Sequence, residues 1–401
     1  MPLAIQVDRF RRFRRQPFAL FRELAATSPG GFAEIEGARQ PLYLVTRPEN
    51  VHQILVAPTS RMRRWSGSPE LREFLGESII NAGETTLRQK TLPAFHRHHL
   101  AAWQAQIEAM APARLAPWLG SGPLNLKHRF EPFTMEVIGR LLFHADLREA
   151  APVVLTHLQR LVIPTYWRTD FDAPLTPGFK ATCDAVREPL RLVFAQQREA
   201  LETSPIFRLL RAEPAASEAQ VFEEFCGFIL SAIMTTGHTL SAICWHLARH
   251  PQLQQELRET TREEPFERVI QEGLRLCPPV WLIGREAVSD VTLCGAPFPA
   301  GALFLICPWL MHRIGFEEGE KFLPERWKTN PEPPRGAFLP FSLGVRRCMG
   351  QSMAMLLLRV ALRFILSRFT LHPDERSPEF LLRPGVLLTM TGDTWITLQT
   401  S

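Results

Sequence analysis

Cys348 is the residue whose surroundings point most directly to chemistry. It stands in the segment FLPFSLGVRRCMGQSMA (338–354), between Gly344 and Gly350, and an amphipathic helix is predicted to begin just beyond it. Glycines allow close approach of the backbone and positive φ angles, and a helix N-terminus favours an anionic thiolate. Such a thiolate can bind a metal ion, and as the axial ligand of haem iron it favours cleavage of the O–O bond. The loop taken alone leaves open the alternative of an ordinary buried cysteine.

The other cysteines give no sign of a disulfide framework or of a zinc site. The chain has seven cysteines, an odd number, at irregular spacings and without a C-x-x-C pair. This usage fits a reducing compartment, so we predict a cytoplasmic protein.

Composition and charge are those of an ordinary globular protein. Of the 401 residues, 45% are apolar and 22% are charged, and the net charge is +5 without a basic block of the kind that binds nucleic acid. An arginine cluster at 11, 12, 14 and 15 is either a solvated helix end or a surface for an acidic lipid or partner. We find no signal peptide and no run of roughly 18 apolar residues, so we predict no membrane span.

Apolar periodicity predicts a mainly α-helical chain with small β-elements. A strand is expected at 41–46, and hairpins are expected from 291–295 with 301–307 and from 385–390 with 394–399. The segment 313–345 is long and rich in turns, which is typical of a functional loop. We see no linker and predict a single domain over 1–401. The predicted helices cover 98–118, 133–144, 179–201, 218–249 and 351–368.

The loop around Cys348 resembles the haem-binding loop of the cytochrome P450 family. Phe341, Gly344, Arg346, Cys348 and Gly350 together match the pattern F-x-x-G-x-R-x-C-x-G. The resemblance implies haem b as the cofactor and Cys348 as the ligand of its iron. It also implies that Arg346 pairs with a haem propionate.

Two further segments match the same family. In FERVIQEGLRLCPP (266–279), Glu272 and Arg275 are three residues apart and share one helix face. Taken alone, the pair could equally be an ordinary surface pair. The segment FLPERW (322–327) supplies Arg326, and the resemblance implies that Arg326 joins Glu272 and Arg275 in a buried network that braces the cysteine loop.

The resemblance also suggests other contacts to the haem. Arg285 matches an arginine that binds the second propionate, and the His312–Arg313 dipeptide is expected to be structural. In 83–100 the register is open: one alignment selects Glu84 and Arg88, and the other selects Thr86 and Lys90. We favour Arg88 as the cation that contacts the cofactor.

The segment 225–252 resembles the long central helix on which the family activates dioxygen. The family pattern A-G-x-[DE]-T-T falls on residues 231–236, so that Ala232 lies in the oxygen groove and Thr235 supplies the catalytic hydroxyl. The acid that normally precedes the threonine is replaced by Met234, which cannot carry protons. His238 is either a substitute titrating group or a packed helix residue.

Taken together, the resemblance implies the triangular, mainly helical prism of the family, with the haem between the long helix and the cysteine loop. The expected activity is monooxygenation of a hydrophobic small molecule in secondary or specialised metabolism, with O2 and electrons from a separate ferredoxin or flavodoxin. The alternatives are a peroxide-driven oxidase, a coupling or rearrangement catalyst, and a non-catalytic haem sensor. Candidate pocket residues are all apolar: Phe74, Ile79, Ile80, Phe228, Val280, Trp281, Leu282 and Met390.

Overall fold

The computed structural model describes most of the chain and divides it into two compact units. Unit 1 is built mainly from 1–68 and 274–348, and unit 2 mainly from 69–166, 172–273 and 349–401. A single domain over 1–401 stays a prediction. The described residues are 3–38, 40–65, 69–80, 86–118, 122–127, 129–161, 175–212, 215–329, 332–385 and 387–400.

Helices dominate the described residues, as the periodicity predicts. Short 3₁₀ turns add to them at Leu92–Phe95, Arg97–His99, Ala116–Trp118 and Gly344–Arg346. The α-helices are α1 (Leu3–Arg15), α2 (Pro17–Thr27), α3 (Pro48–Val56), α4 (Pro69–Leu75), α5 (Thr86–Thr91), α6 (Leu100–Leu115), α7 (Glu131–Phe143), α8 (Ala151–Leu161), α9 (Pro177–Gln196), α10 (Arg198–Thr203), α11 (Pro205–Arg211), α12 (Glu218–Leu247), α13 (Pro251–Glu259), α14 (Glu264–Leu276), α15 (Pro308–Ile314), α16 (Arg326–Thr329) and α17 (Gln351–Leu366).

The strands are short and form small sheets. They are β1 (Phe32–Glu34), β2 (Leu42–Val45), β3 (Met62–Arg64), β4 (Pro123–Asn125), β5 (Ile283–Ala287), β6 (Val291–Leu293), β7 (Ala296–Phe298), β8 (Leu303–Ile306), β9 (Phe369–Pro373), β10 (Leu382–Pro384), β11 (Leu388–Met390) and β12 (Trp395–Thr400).

Unit 1 is organised by a five-stranded sheet of order β1-β2-β8-β5-β3. Strands β2 and β8 pair in parallel, and the other neighbours are antiparallel. All four residues of β8 are buried, which explains why its sequence LFLI shows no alternation of polar and apolar residues. The sheet therefore holds β5, and with it Arg285, in a fixed register.

Unit 2 is organised by α12, a helix of 30 residues. Ser217 begins it with a capping box: its hydroxyl accepts from the Gln220 N–H, and the Gln220 side chain accepts from the Ser217 N–H. The ring of Phe225 packs edge-on against Phe143 of α7 at a centroid distance of 4.9 Å. Apolar burial on nearly every face makes α12 the core helix of this unit.

All five predicted helical segments are helical, but both predicted hairpins are wrong. In the first, β6 pairs with β7, which occupies the segment predicted as a turn. Cys294 (φ 50°) and Gly295 (φ 82°) make a tight turn in the left-handed region, so the chain reverses earlier than the prolines suggest. β8 pairs instead with β2 and β5.

The predicted hairpin at the C-terminal end is wrong because each of its strands has a different neighbour. β11 pairs with β10, and β12 pairs with β4 and β9. Since β4 is more than 260 residues away in the sequence, no local turn signal could predict this pairing.

One helix of the described chain, α12, is long and apolar enough to cross a bilayer, judged by length and composition. Of its most apolar window, 83% is buried inside the protein.

Candidate functional site

The Cys348 loop folds back on itself within unit 1. The N–H of Cys348 donates to the carbonyl of Phe341 at 2.8 Å, and the N–H of Arg347 donates to the carbonyl of Gly344 at 3.0 Å. The Cys348 residue is exposed. The loop therefore presents the cysteine at the tip of a tight turn.

Gly344 is required by the geometry of this turn, whereas Gly350 is not required in the same way. Gly344 has φ +68°, and a Cβ there would lie 2.1 Å from the carbonyl oxygen of Leu55 in α3. Gly350 has φ −79°, a value that any residue can adopt. Ser342 also lies in the left-handed region, at φ 59°. The loop is thus packed directly against the end of α3.

His312 connects the cysteine loop to the end of α14. Its Nε2 accepts from the N–H of Leu339 at 2.7 Å, and its Nδ1 donates to the carbonyl of Arg275 at 3.1 Å. The side chain is completely buried, and desolvation lowers the pKa of His312 to about 3. The ring is therefore neutral and fixed in one tautomer, and it acts as a structural link.

Arg275 forms hydrogen bonds to backbone carbonyl groups in the segment that precedes the cysteine loop. Its guanidinium donates to the carbonyl of His312 (2.9 Å) and to those of Gly319 (2.6 Å) and Lys321 (2.7 Å). It also lies over the ring of Phe316, at 5.4 Å from the centroid. Because the side chain is fully buried, these bonds compensate for the loss of hydration.

Arg326 binds the same stretch from a less buried position. It donates to the carbonyls of Glu317 (2.7 Å) and Glu318 (3.3 Å), and it lies 5.9 Å from the centroid of Phe316. Glu272, the third residue of the predicted network, is fully buried in its own unit. That the three residues act as one network stays a prediction.

Arg285 lies in a group of cations. It faces Arg64 directly across the β3–β5 ladder, and its guanidinium donates to the carbonyl of Gly284 at 2.9 Å. Desolvation lowers the pKa of Arg285 to about 10, and the charges of Arg64 and Arg346 contribute to the same shift. Like charges placed opposite each other on a sheet are destabilising, so this arrangement suits an anion.

On the opposite face of the same ladder, the arginine is paired with a carboxylate. There Arg63 pairs with Glu286. Side chains alternate between faces along a strand, so Arg64 and Arg285 share the other face. Sequence reasoning missed Arg64; the signal was the doubled arginine in MRRW, but its register against β5 was not predictable locally.

The centre of α12 opens on one side at the predicted oxygen groove. Ser231, Ala232 and Thr235 are partly exposed, whereas Ile233, Met234 and residues 236–247 are buried. The hydroxyl of Thr235 donates to the carbonyl of Ser231 at 2.9 Å, as helix threonines commonly do. Its lone pairs remain able to accept a proton or hydrogen bond from that side. We call Ser231, Ala232 and Thr235 the α12 window.

His238 is packed rather than open to the window. It is 4% exposed, and its Nε2 lies 3.1 Å from Oε1 of Glu131 in α7. Met234 is also buried, with 2% of its surface exposed. Neither residue therefore stands on the open side of the helix beside Thr235.

The helix α5 distinguishes the two cations that the sequence left open. Lys90 donates its ammonium to the carbonyls of Leu210 and Ala212 at the end of α11. Arg88, two residues earlier and therefore on a different side of the helix, is half-buried. Lys90 is thus engaged structurally, and Arg88 stays our predicted contact to the cofactor. Glu84 lies outside the described residues.

Burial separates Cys348 from most other cysteines. Five of them are buried, and desolvation raises the pKa of each thiol, for example that of Cys277 to about 12. Cys294 is exposed but lies in the β6–β7 turn, where its thiol contacts Gln53. Of the two exposed cysteines, Cys348 is therefore the one close to the arginine group, because Arg346 is two residues before it in the sequence. The buried thiols are those of Cys183, Cys226, Cys244, Cys277 and Cys307.

The predicted pocket residues differ in their surroundings. Trp281 is 1% exposed and packs against Phe18 and Phe21 of α2, so it is a core residue of unit 1. Val280 is 42% exposed. The others are buried or half-buried: Phe74, Ile79, Ile80, Phe228, Leu282 and Met390.

The residues present fit a haem. An exposed cysteine in a constrained loop could supply an axial ligand, and the cations Arg64, Arg285 and Arg346 suit a group that carries two carboxylates. Across the described residues, no cluster of three or more His, Cys, Asp or Glu side chains offers an alternative metal site.

Known proteins match this chain over most of its length. The model of the family Cytochrome P450 matches residues 265–396. Cyclooctat-9-en-7-ol 5-monooxygenase of Streptomyces melanosporofaciens is 27% identical, with 90% of this chain and 86% of that protein covered. Cyclooctatin synthase of the same organism is 26% identical, with coverages of 94% and 90%. The structure of CYP175A1 from Thermus thermophilus superposes with a TM-score of 0.82 at 23% identity, over 100% of this chain and 99% of that chain.

The fold and the family match point to the same class of protein. The structural likeness establishes the fold, and the family match contains the Cys348 loop, Glu272, Arg275, Arg285 and Arg326. Residues 265–396 match the model of the cytochrome P450 family, and the chain is similar to named monooxygenases over most of its length, which points to a haem-iron cofactor.

Proposed function

We propose that this enzyme uses haem b to insert one atom of dioxygen into a hydrophobic small molecule of specialised metabolism. The second oxygen atom leaves as water, so each turnover consumes an electron pair and two protons. The electrons come from a separate ferredoxin or flavodoxin, and the enzyme works in the cytoplasm. The observation that carries this proposal is the exposed Cys348 in its constrained loop.

Named residues would hold the cofactor. Cys348 would ligate the iron as a thiolate, and Arg285 and Arg346 would each pair with a carboxylate, with Arg64 adding positive charge. Arg88 is a further proposed contact. When bound, the haem supplies the activation of dioxygen and its transfer to substrate; the protein binds, orients and excludes water.

Thr235 would handle protons at the α12 window. Its hydroxyl donates to the Ser231 carbonyl, which fixes the direction of its lone pairs. It can accept a proton from one side and pass its own proton on. Removing the hydroxyl in Thr235→Ala should keep haem and substrate binding but lower the yield of product per electron pair.

The proposed substrate class rests on the apolar character of the candidate pocket residues. Phe74, Ile79, Ile80, Phe228 and Met390 offer no charged group, so a largely apolar molecule is the best fit. The two Streptomyces relatives support this, because one is named for its action on cyclooctat-9-en-7-ol and the other for the synthesis of cyclooctatin.

The direct test is the spectrum of the reduced protein with carbon monoxide. We expect the red-shifted Soret band of a thiolate complex, and its loss in Cys348→Ser. Cys294→Ser is the matched control, because it removes the other exposed cysteine and should leave the band unchanged. A histidine-type spectrum, or an unchanged band in Cys348→Ser, would contradict the proposal.

A peroxide-driven reaction is the second candidate, and Met234, which stands where the family has an acid, favours it. Hydrogen peroxide carries its own protons and electrons, so it does not need an acid at that position. Product formation with peroxide alone is compared with product formation with reductase, ferredoxin and dioxygen. Faster turnover with peroxide would replace the partner-driven proposal.

A further inference from the structure

Glu224 is a buried carboxylic acid on the same helix as Thr235, and it has no role in the function described above. Its side chain is 1% exposed. Oε1 accepts from the N–H of Ile79 at 2.8 Å, whereas Oε2 is buried and makes no hydrogen bond to any residue that the structure describes. Burial raises the pKa of Glu224 to about 8, with a smaller contribution from Glu223. At neutral pH the carboxyl is mainly protonated, and the proton is on Oε2 because Oε1 is an acceptor.

Glu224 lies on the side of α12 that carries the window. Positions seven and eleven residues apart return to within roughly 20° of the same direction on an α-helix, so Glu224, Ser231 and Thr235 form one strip. Along the axis, Ser231 is about 10 Å and Thr235 about 16 Å from Glu224. These separations are too long for direct proton transfer, so other oxygen atoms must stand between.

Ser78 supplies an oxygen atom at a position along the α12 axis between Glu224 and Ser231. A Cβ on Gly227 would lie 2.3 Å from Oγ of Ser78, so the glycine lets this hydroxyl rest directly on α12 between Glu224 and Ser231. Ser78 is completely buried and donates to the carbonyl of Leu75 at 3.1 Å, which leaves its lone pairs for another donor. Successive positions are three or four residues apart, about 5–6 Å along the axis, and one bridging water spans such a gap.

We propose that Glu224 is the proton donor that replaces the acid absent at position 234, with Ser78, Ser231 and Thr235 as the path. In each transfer the O–H bond of Glu224 breaks, and every hydroxyl on the path gains one proton and passes one on. Glu224 is left as a carboxylate and regains a proton from solvent before the next transfer. No electrons move along this path, because the ferredoxin or flavodoxin supplies them. The inference rests on the proposed monooxygenase function.

The charges around Glu224 belong to three elements. Glu223 on α12 pairs with Arg187 of α9, which also carries Arg191. The helix α4 packs against α12 as well and carries Glu70 and Glu73. Glu223→Gln is therefore the matched control, because it removes a carboxylate one residue away that points roughly 100° round the helix.

The first experiment detects the proton on the holoenzyme without turnover. A protonated carboxyl has an infrared carbonyl band that disappears on ionisation. We expect such a band in wild type at pH 7, its loss as the pH rises through about 8, and its absence in Glu224→Gln but not in Glu223→Gln. If Glu224→Gln leaves the band unchanged, Glu224 is not the protonated group and the proposal is wrong.

The second experiment measures product formed per electron pair. Glutamine can still accept from the Ile79 N–H, so Glu224→Gln should fold and bind haem while the yield falls by roughly tenfold or more. Glu224→Asp keeps an acid at this position and should retain more of the yield than Glu224→Gln, which a merely structural role would not require. An unchanged yield in Glu224→Gln, or equal losses in Glu224→Gln and Glu224→Asp, overturns the relay.

Loss of haem uptake in the variant and failure of the proposed function give different results. If Glu224→Gln does not take up haem, Ser78→Ala tests the same path: a lower yield supports the relay, and an unchanged yield overturns it. Failure of the proposed function itself looks different, because wild type would then lack the thiolate spectrum and give no product.

Discussion

At the scale of single residues, Gly344 decides whether the cysteine loop can form. We predict that Gly344→Ala destabilises the protein by more than about 1–3 kcal/mol, since it adds a clash with the Leu55 carbonyl to the cost of a positive φ angle. Thermal unfolding and haem content measure this. Gly301→Ala is the control, because Gly301 has φ +79° but open space around it. This variant should lose only the stability that a positive φ angle costs an alanine. Equal losses in both variants would show that packing against α3 is unimportant.

The buried His312 makes stability depend on pH. Its pKa is lowered from 6.5 to about 3, so below pH 6.5 the unfolded chain binds a proton that the folded protein excludes. Stability is therefore complete above pH 6.5 and falls by about 1.4 kcal/mol for each pH unit below it. Glutamine can make both hydrogen bonds without titrating, so His312→Gln should flatten the fall in unfolding free energy between pH 7 and 5.

The exposed His98 provides the comparison for this experiment. His98→Gln should leave the pH dependence of unfolding unchanged. If His312→Gln keeps the wild-type slope, the acid sensitivity comes from other groups.

At the scale of elements, Arg275 joins the end of α14 to the turn-rich segment before Cys348. Removing a buried charged group from its partners costs roughly 3–5 kcal/mol. We predict that Arg275→Ala abolishes folded holoprotein, and that Glu272→Ala, also fully buried, does the same. Haem content after purification is the measurement. Arg326→Ala, which removes two bonds from a half-buried position, should retain more haem; near-normal haem in Arg275→Ala would contradict the prediction.

The sequence predicted the helices because each one carries its own apolar periodicity, as α12 and α17 do. It did not predict the pairing of β12 with β4, or of Arg64 with Arg285, because those contacts join distant segments. The cysteine motif was predictable since its residues lie within ten positions. The contact of Ile79 with Glu224 spans 145 residues and appears only in three dimensions.

At the scale of the whole molecule, the net charge of +5 bears on the electron donor. Arg97 and Arg347 are exposed, so an acidic ferredoxin or flavodoxin would be steered toward such cations. We predict that the partner-limited rate falls by roughly tenfold as the ionic strength rises from low to high. Arg97→Glu should lower the low-salt rate more than Arg383→Glu, which makes the same charge change on the exposed side chain of β10. A rate that does not depend on salt would contradict electrostatic docking of the electron donor.

Arg64 lies opposite Arg285, and Arg346 is close to Arg285. This arrangement also affects how the newly made chain folds and takes up its cofactor. Before the cofactor arrives, these guanidinium groups repel one another, and this repulsion opposes the folding of unit 1. A ligand that binds only the folded chain and neutralises the three charges shifts the folding equilibrium toward the native state. Haem supply during synthesis would then govern how much protein survives in the cell, and multivalent anions such as phosphate would partly protect the newly made chain until the porphyrin is delivered.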